Sequence, residues 1–377
     1  MKKELELYLH IPFCIRKCQY CDFLSGPADE ASQKRYVDAL CRELEGAQEM
    51  AKDYAVTSIY FGGGTPSLLH GEWMEQVMET ITKGYQIGRD AEISMEANPG
   101  TLTMENLSRY RQAGINRISL GCQSADDREL KLLGRIHTWE EFLESYQMVR
   151  ETGFTNVNVD LMSGLPEQTL ERWENSLRKV AELEPEHISA YSLIVEDGTP
   201  FAKKELILPD EETERKMYEE TAVILQTYGY QQYEISNYAK EGKECQHNIG
   251  YWTRKNYLGF GVGSASLFEN QRFSNTTDRT YYEKWSADPE KIRENREILD
   301  RQEQMEEYMI LGLRMLEGVG KKEFEETFGI PIEKPYGTIL EKYRKLNFME
   351  LTNERVKLTR EGISVSNPIL ADFLLDE

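Results

Sequence analysis

The chain has 377 residues, 40% of them hydrophobic, and carries a formal net charge of −21. This length allows a large barrel with a smaller second domain, while no apolar run approaches the ~20 residues of a membrane span. The acidic charge argues against DNA or RNA as a partner because it repels phosphate backbones, and six cysteines in so long a chain do not form a disulfide scaffold.

The first element in the chain is a predicted strand that leads into a loop with three cysteines. Leu5–Ile11 is a mainly apolar run, and Cys14, Cys18 and Cys21 follow it at the spacing CxxxCxxC. Each protein-held iron of a [4Fe–4S] cube takes a thiolate, so three cysteines leave one iron open. At this spacing the known ligand of the open iron is S-adenosylmethionine (SAM), and electron transfer from the cluster into its sulfonium breaks a C–S bond. The motif resembles that of the radical-SAM superfamily.

The alternatives for these cysteines are a zinc site and unpaired core thiols. A structural zinc site usually takes four ligands in two CxxC-type pairs, and the remaining Cys41, Cys122 and Cys245 are scattered along the chain. Ligand counting therefore favours the cluster. Because an exposed cluster does not survive oxidation, and because the sequence shows no targeting segment, we expect the protein to be cytoplasmic.

Short apolar runs alternate with longer amphipathic runs up to about residue 195. The apolar runs predict six strands, at Leu5–Ile11, Ser58–Phe61, Glu92–Glu96, Arg117–Leu120, Asn156–Met162 and His187–Ile194. The amphipathic runs predict helices near residues 31–51, 70–83, 103–113, 138–152 and 169–183. Such alternation predicts an α/β fold with parallel strands and right-handed crossovers. Six units suit an incomplete (β/α)6 barrel, the fold typical of radical-SAM proteins.

Residues at the ends of these strands are the candidates for a SAM pocket, because the C-terminal ends of barrel strands form the active site. Glycines after the second strand let the backbone approach a ligand, and the resemblance implies that Gly64 and Thr65 meet the SAM amino group. Arg135 is a candidate for the SAM carboxylate. The other candidates are polar groups that need partners inside apolar strands and aromatic rings beside the cysteine loop, namely Glu96, Gln123, Asp160, Tyr8 and Tyr20. Each of them alone could be a satisfied core residue.

The remainder of the chain has a different pattern. Residues 196–300 are less regular, apart from a predicted helix from Asp210 to Tyr228. From about residue 301, apolar residues at helical spacing precede two short predicted helices and a hairpin, at Lys321–Phe328, Ile339–Leu346, Phe348–Leu351 and Arg355–Leu358. This order resembles a winged helix, although the acidic excess of the segment favours a packing or lid role over DNA binding. We therefore divide the chain into a partial barrel with the cysteine loop (residues 1–200), an extension of that barrel (201–300) and a winged-helix-like domain (301–377).

The motifs together resemble the oxygen-independent coproporphyrinogen III oxidase family over nearly the whole chain. The likeness covers His10–Cys14, Gly63–Ser67, Asp160–Pro166 and Lys357–Gly362. The oxidase removes carboxylate from two propionates of a porphyrinogen, and its sequences carry a further cysteine two places past the motif and a long N-terminal segment. Here Asp22 and Phe23 follow Cys21, and only 13 residues precede Cys14. These departures point instead to the HemW (heme chaperone) subfamily.

The hallmark of that subfamily is the motif HNxxYW, which occupies residues 247–252 here. Imidazole and phenolate are axial ligands of heme iron, and Trp and Tyr offer flat faces to the macrocycle. On composition alone, a core histidine with aromatic packing would be favoured. The resemblance implies instead that His247, Tyr251 and Trp252 contact heme.

The function implied by the resemblance is that of a heme chaperone. Such a protein binds heme and passes it to an acceptor hemoprotein, and it carries a SAM-liganded [4Fe–4S] cluster that needs an electron donor. A membrane-associated acceptor and a homodimer are further expectations. The competing interpretations are a radical-SAM coproporphyrinogen III dehydrogenase and a heme-modifying methyltransferase. Whether SAM is cleaved stays open, so the sequence assigns neither an enzyme activity nor a catalytic residue.

Overall fold

Six parallel strands form the centre of a twelve-stranded sheet in the computed structural model, which describes residues 2–375. They lie side by side in chain order. Their bounds are β1 Lys3–Ile11, β2 Tyr54–Gly63, β3 Ile87–Ala97, β4 Arg117–Gln123, β5 Val157–Ser163 and β6 His187–Ser192. This order confirms the incomplete (β/α)6 barrel. β2 and β3 begin earlier than predicted because their first residues are not an apolar run, and β6 ends two residues earlier than expected.

At least one helix follows each of these strands. The helices are α1 Glu30–Gly46, α2 Gln48–Ala51, α3 Gly71–Gly84, α4 Met104–Gln112, α5 Asp127–Leu133, α6 Trp139–Glu151, α7 Leu170–Ala181 and α8 Glu211–Thr227. Most predicted starts are correct to one residue. Side-chain N-caps fix these starts, because a side-chain oxygen satisfies a free N–H of the first turn. The capping residues are Asp29, Thr103, Thr138, Thr169 and Asp210. The sequence analysis missed α5, whose seven residues are too few to show a helical period.

The first strand shows why the interior of the barrel is polar. Parallel strands covered on both faces usually read as continuous apolar runs, but β1 alternates strictly. Leu5, Leu7, Leu9 and Ile11 are fully buried in the main hydrophobic core beneath the helices. The residues between them, Glu6, Tyr8 and His10, lie on the opposite face. The inner face of the sheet therefore carries groups that need hydrogen-bond partners.

Residues 201–300 add strands to both edges of the parallel sheet. Beside β6 lie the antiparallel strands β7 Gln231–Gln232 and β8 Asn237–Ala239. Beside β1 lies the parallel strand β9 Tyr257–Phe260, followed outward by the antiparallel strands β10 Ala265–Phe268, β11 Gln271–Asn275 and β12 Arg293–Ile298. Helix α9 Gln246–Trp252 runs from β8 to β9 and so links opposite edges of the sheet, while α10 Arg279–Trp285 and α11 Pro289–Ile292 precede β12.

The C-terminal part of the chain has its own hydrophobic core and its own antiparallel sheet. Its elements are α12 Arg301–Gly312, β13 Val319–Gly320, α13 Lys321–Phe328, α14 Glu333–Lys345, β14 Met349–Leu351, β15 Arg355–Leu358, α15 Arg360–Ser364 and α16 Ser366–Ala371. The predicted hairpin is confirmed as β14 and β15, and β13 pairs on its other side in the order β13-β15-β14. The predicted helix Ile339–Leu346 is part of the longer α14. Across residues 2–375, no helix is both long enough and apolar enough to span a membrane.

Glu43 ties the added strands to the barrel. Its buried carboxylate, on α1, accepts hydrogen bonds from the Gly261 N–H (2.8 Å), the Asn275 amide (2.6 Å) and the Tyr282 hydroxyl (2.6 Å). Burial raises the pKa of Glu43 to about 7, although these three donors oppose the shift. The carboxyl group is thus a buried acceptor that three separate segments share.

We expect Glu43→Leu to lower the free energy of unfolding by about 2–5 kcal/mol, because buried donors lose their acceptor. Urea unfolding followed by fluorescence measures the loss. The matched control is Glu45→Leu on the exposed side of the same helix, for which a change within about 0.5 kcal/mol is expected. Equal stabilities of the two variants would contradict the anchoring role.

Candidate functional site

A cavity opens at the C-terminal ends of the parallel strands, and the cysteine loop forms one wall of it. The thiols of Cys14, Cys18 and Cys21 are all half-buried and line this cavity. Burial raises the pKa of Cys21. Backbone hydrogen bonds hold the loop at its start and within it: the Cys14 N–H donates to Gly26 O (3.0 Å), and the Gln19 N–H donates to Leu133 O (2.9 Å). The loop is therefore built onto the barrel rather than free in solvent.

The glycine run after β2 lies against this loop. The Gly64 N–H donates to Ile11 O at 2.8 Å, and a Cβ atom on Gly64 would stand 2.5 Å from Phe13 O. Gly63 has a φ of +108°, which favours glycine. The Thr65 hydroxyl lies 3.5 Å from the Cys14 sulfur. Glycines are thus required here for backbone contact with the cysteine loop, and Gly64 and Thr65 both line the cavity.

Two carboxylates face the cavity from neighbouring parts of the inner face. Glu96 accepts hydrogen bonds from the Tyr60 hydroxyl and the Gly63 N–H, each at 3.1 Å. Asp160 accepts from the Ser119 hydroxyl (3.2 Å) and the Asn158 amide (2.7 Å). Burial, followed by the nearby charge of Asp160, raises the pKa of Glu96 to about 7. Both acids therefore lie where a positively charged or hydroxylated ligand would stabilise their ionised forms.

Arg135 brings a half-buried positive charge to the same cavity. Its guanidinium donates to Asn98 Oδ1 (2.5 Å) and Gly121 O (2.8 Å) and reaches the Cys18 sulfur at 3.7 Å. Its Nε atom is buried and has no partner within the described part of the chain. A guanidinium with a spare donor beside a cavity suits an anionic carboxylate. Asn98, which orients this side chain, was absent from the sequence-based site although its position after β3 was a usable signal.

Seven of the eight SAM candidates line the cavity together, namely Tyr20, Gly64, Thr65, Glu96, Gln123, Arg135 and Asp160. Gln123 has a φ of +71°, an uncommon conformation for a residue with a side chain, and its side-chain oxygen accepts from Tyr191 at 2.7 Å. Tyr191 also lines the cavity and was missed, because its strand β6 gave only a hydrophobicity signal. Tyr8 does not line the cavity. It lies deeper in the barrel, with its hydroxyl 3.1 Å from His10 Nδ1.

The HNxxYW residues lie away from this cavity. His247 is buried, with Nδ1 2.8 Å from the Ser58 hydroxyl and Nε2 3.1 Å from the Tyr251 hydroxyl. Burial, followed by the charge of Arg117, lowers the pKa of His247 to about 3. Trp252 is half-buried beneath the guanidinium of Arg314, which lies 4.4 Å from its ring centroid. In this conformation neither imidazole nitrogen of His247 is free to bind a metal.

Two family models match the chain. The Radical SAM superfamily model matches residues 8–180, and the HemN C-terminal domain model matches residues 299–365. The heme chaperone HemW of Bacillus subtilis is 36% identical, over 97% of this chain and 98% of the relative. The heme chaperone HemW of Lactococcus lactis is 35% identical, over 100% of this chain and 99% of the relative.

One solved structure shows that the whole fold has a precedent. Coproporphyrinogen III oxidase (HemN) from Escherichia coli, described as a radical SAM enzyme, matches with a TM-score of 0.87 over 99% of this chain and 90% of that one. The sequence identity is 24%, so this likeness concerns the fold alone.

A radical SAM domain implies a [4Fe–4S] cluster and SAM, and the residues at the cavity fit both groups. Within residues 2–375 no three His, Cys, Asp or Glu side chains converge as ligands of one metal ion, and a cluster needs no such convergence because each thiolate binds a separate iron. The cavity also holds a cationic side chain with a spare buried donor, Arg135, and a carboxyl group that favours a cationic partner, Glu96. These match the carboxylate and the ammonium of an amino acid.

Cys14→Ala, Cys18→Ala and Cys21→Ala are each expected to abolish stable cluster assembly, because each removes the thiolate of one iron. Iron content and the electron paramagnetic resonance (EPR) spectrum of anaerobically reconstituted protein measure this. The controls are Cys41→Ala and Cys122→Ala, two buried thiols outside the cavity, which should keep their iron. A full iron complement in any of the first three variants would contradict the assignment.

SAM affinity is expected to rise with pH around neutrality. Glu96 has a folded-state pKa raised to about 7, so it is a neutral acid below that pH and a carboxylate, the better partner for an ammonium group, above it. Calorimetric SAM titrations between about pH 6 and pH 8 measure the slope. Glu96→Gln should bind more weakly with a nearly flat profile. A slope that persists in Glu96→Gln would assign the titration to another group.

Proposed function

The chain belongs to the HemW family of radical-SAM proteins, and on that premise we propose that it binds heme and transfers it to an acceptor hemoprotein. The observation that carries the proposal is the match over nearly the full length to relatives named heme chaperone HemW. A cluster on the three cysteines, with SAM at the same cavity, completes the proposal. The coproporphyrinogen dehydrogenase and methyltransferase alternatives are not favoured, because these full-length relatives are chaperones.

In this proposal Cys14, Cys18 and Cys21 hold the cluster, and the cavity residues hold SAM. Arg135 binds the SAM carboxylate through its spare donor, and Glu96 accepts from the ammonium group. Gln123 and Asp160 bind the ribose hydroxyls. The backbone of Gly64 and the hydroxyl of Thr65 contact the amino group of SAM. Tyr20 packs beside the cluster. When bound, the cluster supplies an electron for the sulfonium of SAM, and an electron donor and an acceptor hemoprotein are the proposed partners.

The mouth of the cavity supports heme as the cargo. Three apolar side chains that line it are exposed to solvent, Ile15 by 53%, Phe23 by 60% and Ile136 by 46%. Arg16 and Lys17 follow Ile15 on the cysteine loop and also line the cavity. A flat apolar macrocycle with two carboxylates matches an apolar surface beside two cations. We therefore assign the heme contact to the mouth.

Heme coordination by His247, with Tyr251 and Trp252 against the macrocycle, stays a prediction from the HNxxYW motif. It requires α9 to leave the barrel, because His247 is buried with both nitrogens hydrogen-bonded. The two locations involve different residues, so substitutions can test them separately. The motif contacts Glu6 and Ser58 within the strands, whereas the cysteine loop follows the end of β1.

Hemin titration of anaerobic, cluster-loaded protein tests the function. We expect a saturable shift of the Soret absorption band, and we expect Phe23→Ser to weaken binding by about tenfold because apolar contact area is lost. The matched control is Ile298→Ser, an apolar residue on β12 that is not part of the cavity and is even more exposed (78%) than Phe23. Absence of any saturable shift would overturn heme binding. Normal binding by Phe23→Ser with loss of binding in His247→Phe would move the heme to α9.

A further inference from the structure

Helix α9, which carries the HNxxYW motif, fills the inside of the incomplete barrel. Glu92 on β3 accepts from the Gln246 N–H (3.2 Å) and the His247 N–H (3.4 Å), and it also accepts from the Cys245 thiol (3.4 Å). A carboxylate at this end of the helix is favoured by the free N–H groups of the first turn. On the opposite side, a Cβ atom at Gly250 would stand 2.0 Å from Glu6 Oε1. The helix is therefore seated closely against the polar inner face.

The imidazole of His247 lies flat against two tyrosine rings. Its centroid is 5.0 Å from that of Tyr60 with an interplanar angle of 19°, and 6.5 Å from that of Tyr8 with an angle of 28°. The two tyrosine rings are themselves nearly parallel, 6.4 Å apart. Hydrogen bonds to Ser58 and Tyr251 fix the rotation of the imidazole. Since its pKa is lowered to about 3 by burial, it is a neutral ring at physiological pH.

The hydroxyl groups of both tyrosines form hydrogen bonds on the side of the cavity. The Tyr60 hydroxyl donates to Glu96 Oε1 at 3.1 Å. The Tyr8 hydroxyl lies 3.1 Å from His10 Nδ1, and His10 Nε2 lies 2.9 Å from Leu24 O, just past the last cysteine. The His247 ring thus packs against two tyrosines. Tyr60 hydrogen-bonds to the cavity carboxylate, and Tyr8 connects through His10 to the end of the cysteine loop.

We propose that His247 is a positioning residue of the SAM site, whose aromatic face holds Tyr60 and Tyr8 so that their hydroxyls orient Glu96 and the end of the cysteine loop. The inference rests on the proposed SAM site. It gives the motif a role that needs no heme iron at His247. It also explains why a planar ring occupies this enclosed position, because an aliphatic side chain would not offer a flat face to two tyrosines.

The test compares two variants that distinguish the contribution of the flat ring of His247 from that of its nitrogen atoms. His247→Phe keeps an aromatic face, whereas His247→Leu has comparable bulk without one. We expect His247→Leu to weaken SAM binding to cluster-loaded protein by about tenfold, because Glu96 loses its orientation. The change that SAM causes in the EPR spectrum of the reduced cluster should also be diminished. His247→Phe should stay within about threefold of the unaltered protein and keep the spectral change.

A second variant keeps the test decisive if His247→Leu fails to fold. Tyr60→Phe removes a single oxygen and leaves the stacked rings, and it should weaken SAM binding to a similar extent. SAM affinity unchanged in Tyr60→Phe, or unchanged in a folded, cluster-loaded His247→Leu, would overturn the proposal. Equal weakening in His247→Phe and His247→Leu would also overturn it, because the face would then not matter.

Glu96→Ala and Arg135→Ala, measured in parallel, separate this proposal from the one on which it rests. Loss of SAM affinity in these two variants with normal affinity in Tyr60→Phe would leave the SAM site standing and remove only the role of His247. Normal affinity in all of them would instead reject the site itself.

Discussion

The polar inner face of the barrel is the constraint on which the rest of the structure depends. Polar groups withdrawn from water must find hydrogen-bond partners, or each costs a substantial part of the stability of a domain. The alternation of β1 places Glu6, Tyr8 and His10 inside, and the neighbouring strands add Glu92 and Arg117. Side chains from six strands cannot all satisfy one another across an incomplete barrel. The fold therefore needs a protein segment inside and leaves a cavity for a polar ligand at the mouth.

The two ends of the inner face meet this need in different ways. Toward the start of the strands, α9 supplies backbone N–H groups to Glu92 and an imidazole to Ser58. Deeper on the β5 and β6 side, side chains satisfy one another, as when Asn158 Oδ1 lies 2.6 Å from His187 Nδ1. Toward the mouth, Arg135 keeps an unpartnered donor. Glu6 Oε2 and Arg117 Nε also lack a partner in the described part of the chain, but of these three groups only Arg135 lines the cavity beside the cysteine loop, where a cofactor can supply one.

Sequence reasoning found the features that local patterns determine. The apolar runs, the amphipathic runs and the cysteine spacing are each patterns within a short stretch of sequence, so the six strands, most helices and the cysteine loop were predictable. The cavity residue Glu96 was found because strand ends converge in this fold, and Arg135 was found because its charge suits the SAM carboxylate. The strands that border β1 and β6 were not predictable, because their pairing joins segments far apart in the chain.

The position of His247 shows where motif reasoning stops. The motif correctly singled out a special segment, but HNxxYW alone does not tell whether the imidazole points to a ligand or into the protein. That choice is set by Glu92 and Glu6, which lie more than 150 positions earlier in the chain, and by the connection of α9 between opposite edges. Trp252, at the end of the same helix, faces Arg314 of the C-terminal domain. The motif therefore spans the barrel interior and the domain beside it.

The pairing of β9 with β1 and of β8 with β6 has a consequence for any shortened form of the protein. A fragment that stopped near residue 200 would keep all six parallel strands yet lose the partners of both outermost ones. Bare strand edges recruit other chains and promote aggregation. The boundary that the sequence suggests between the barrel and its extension is thus a poor place to cut, since the later segment finishes the sheet begun by the first strand.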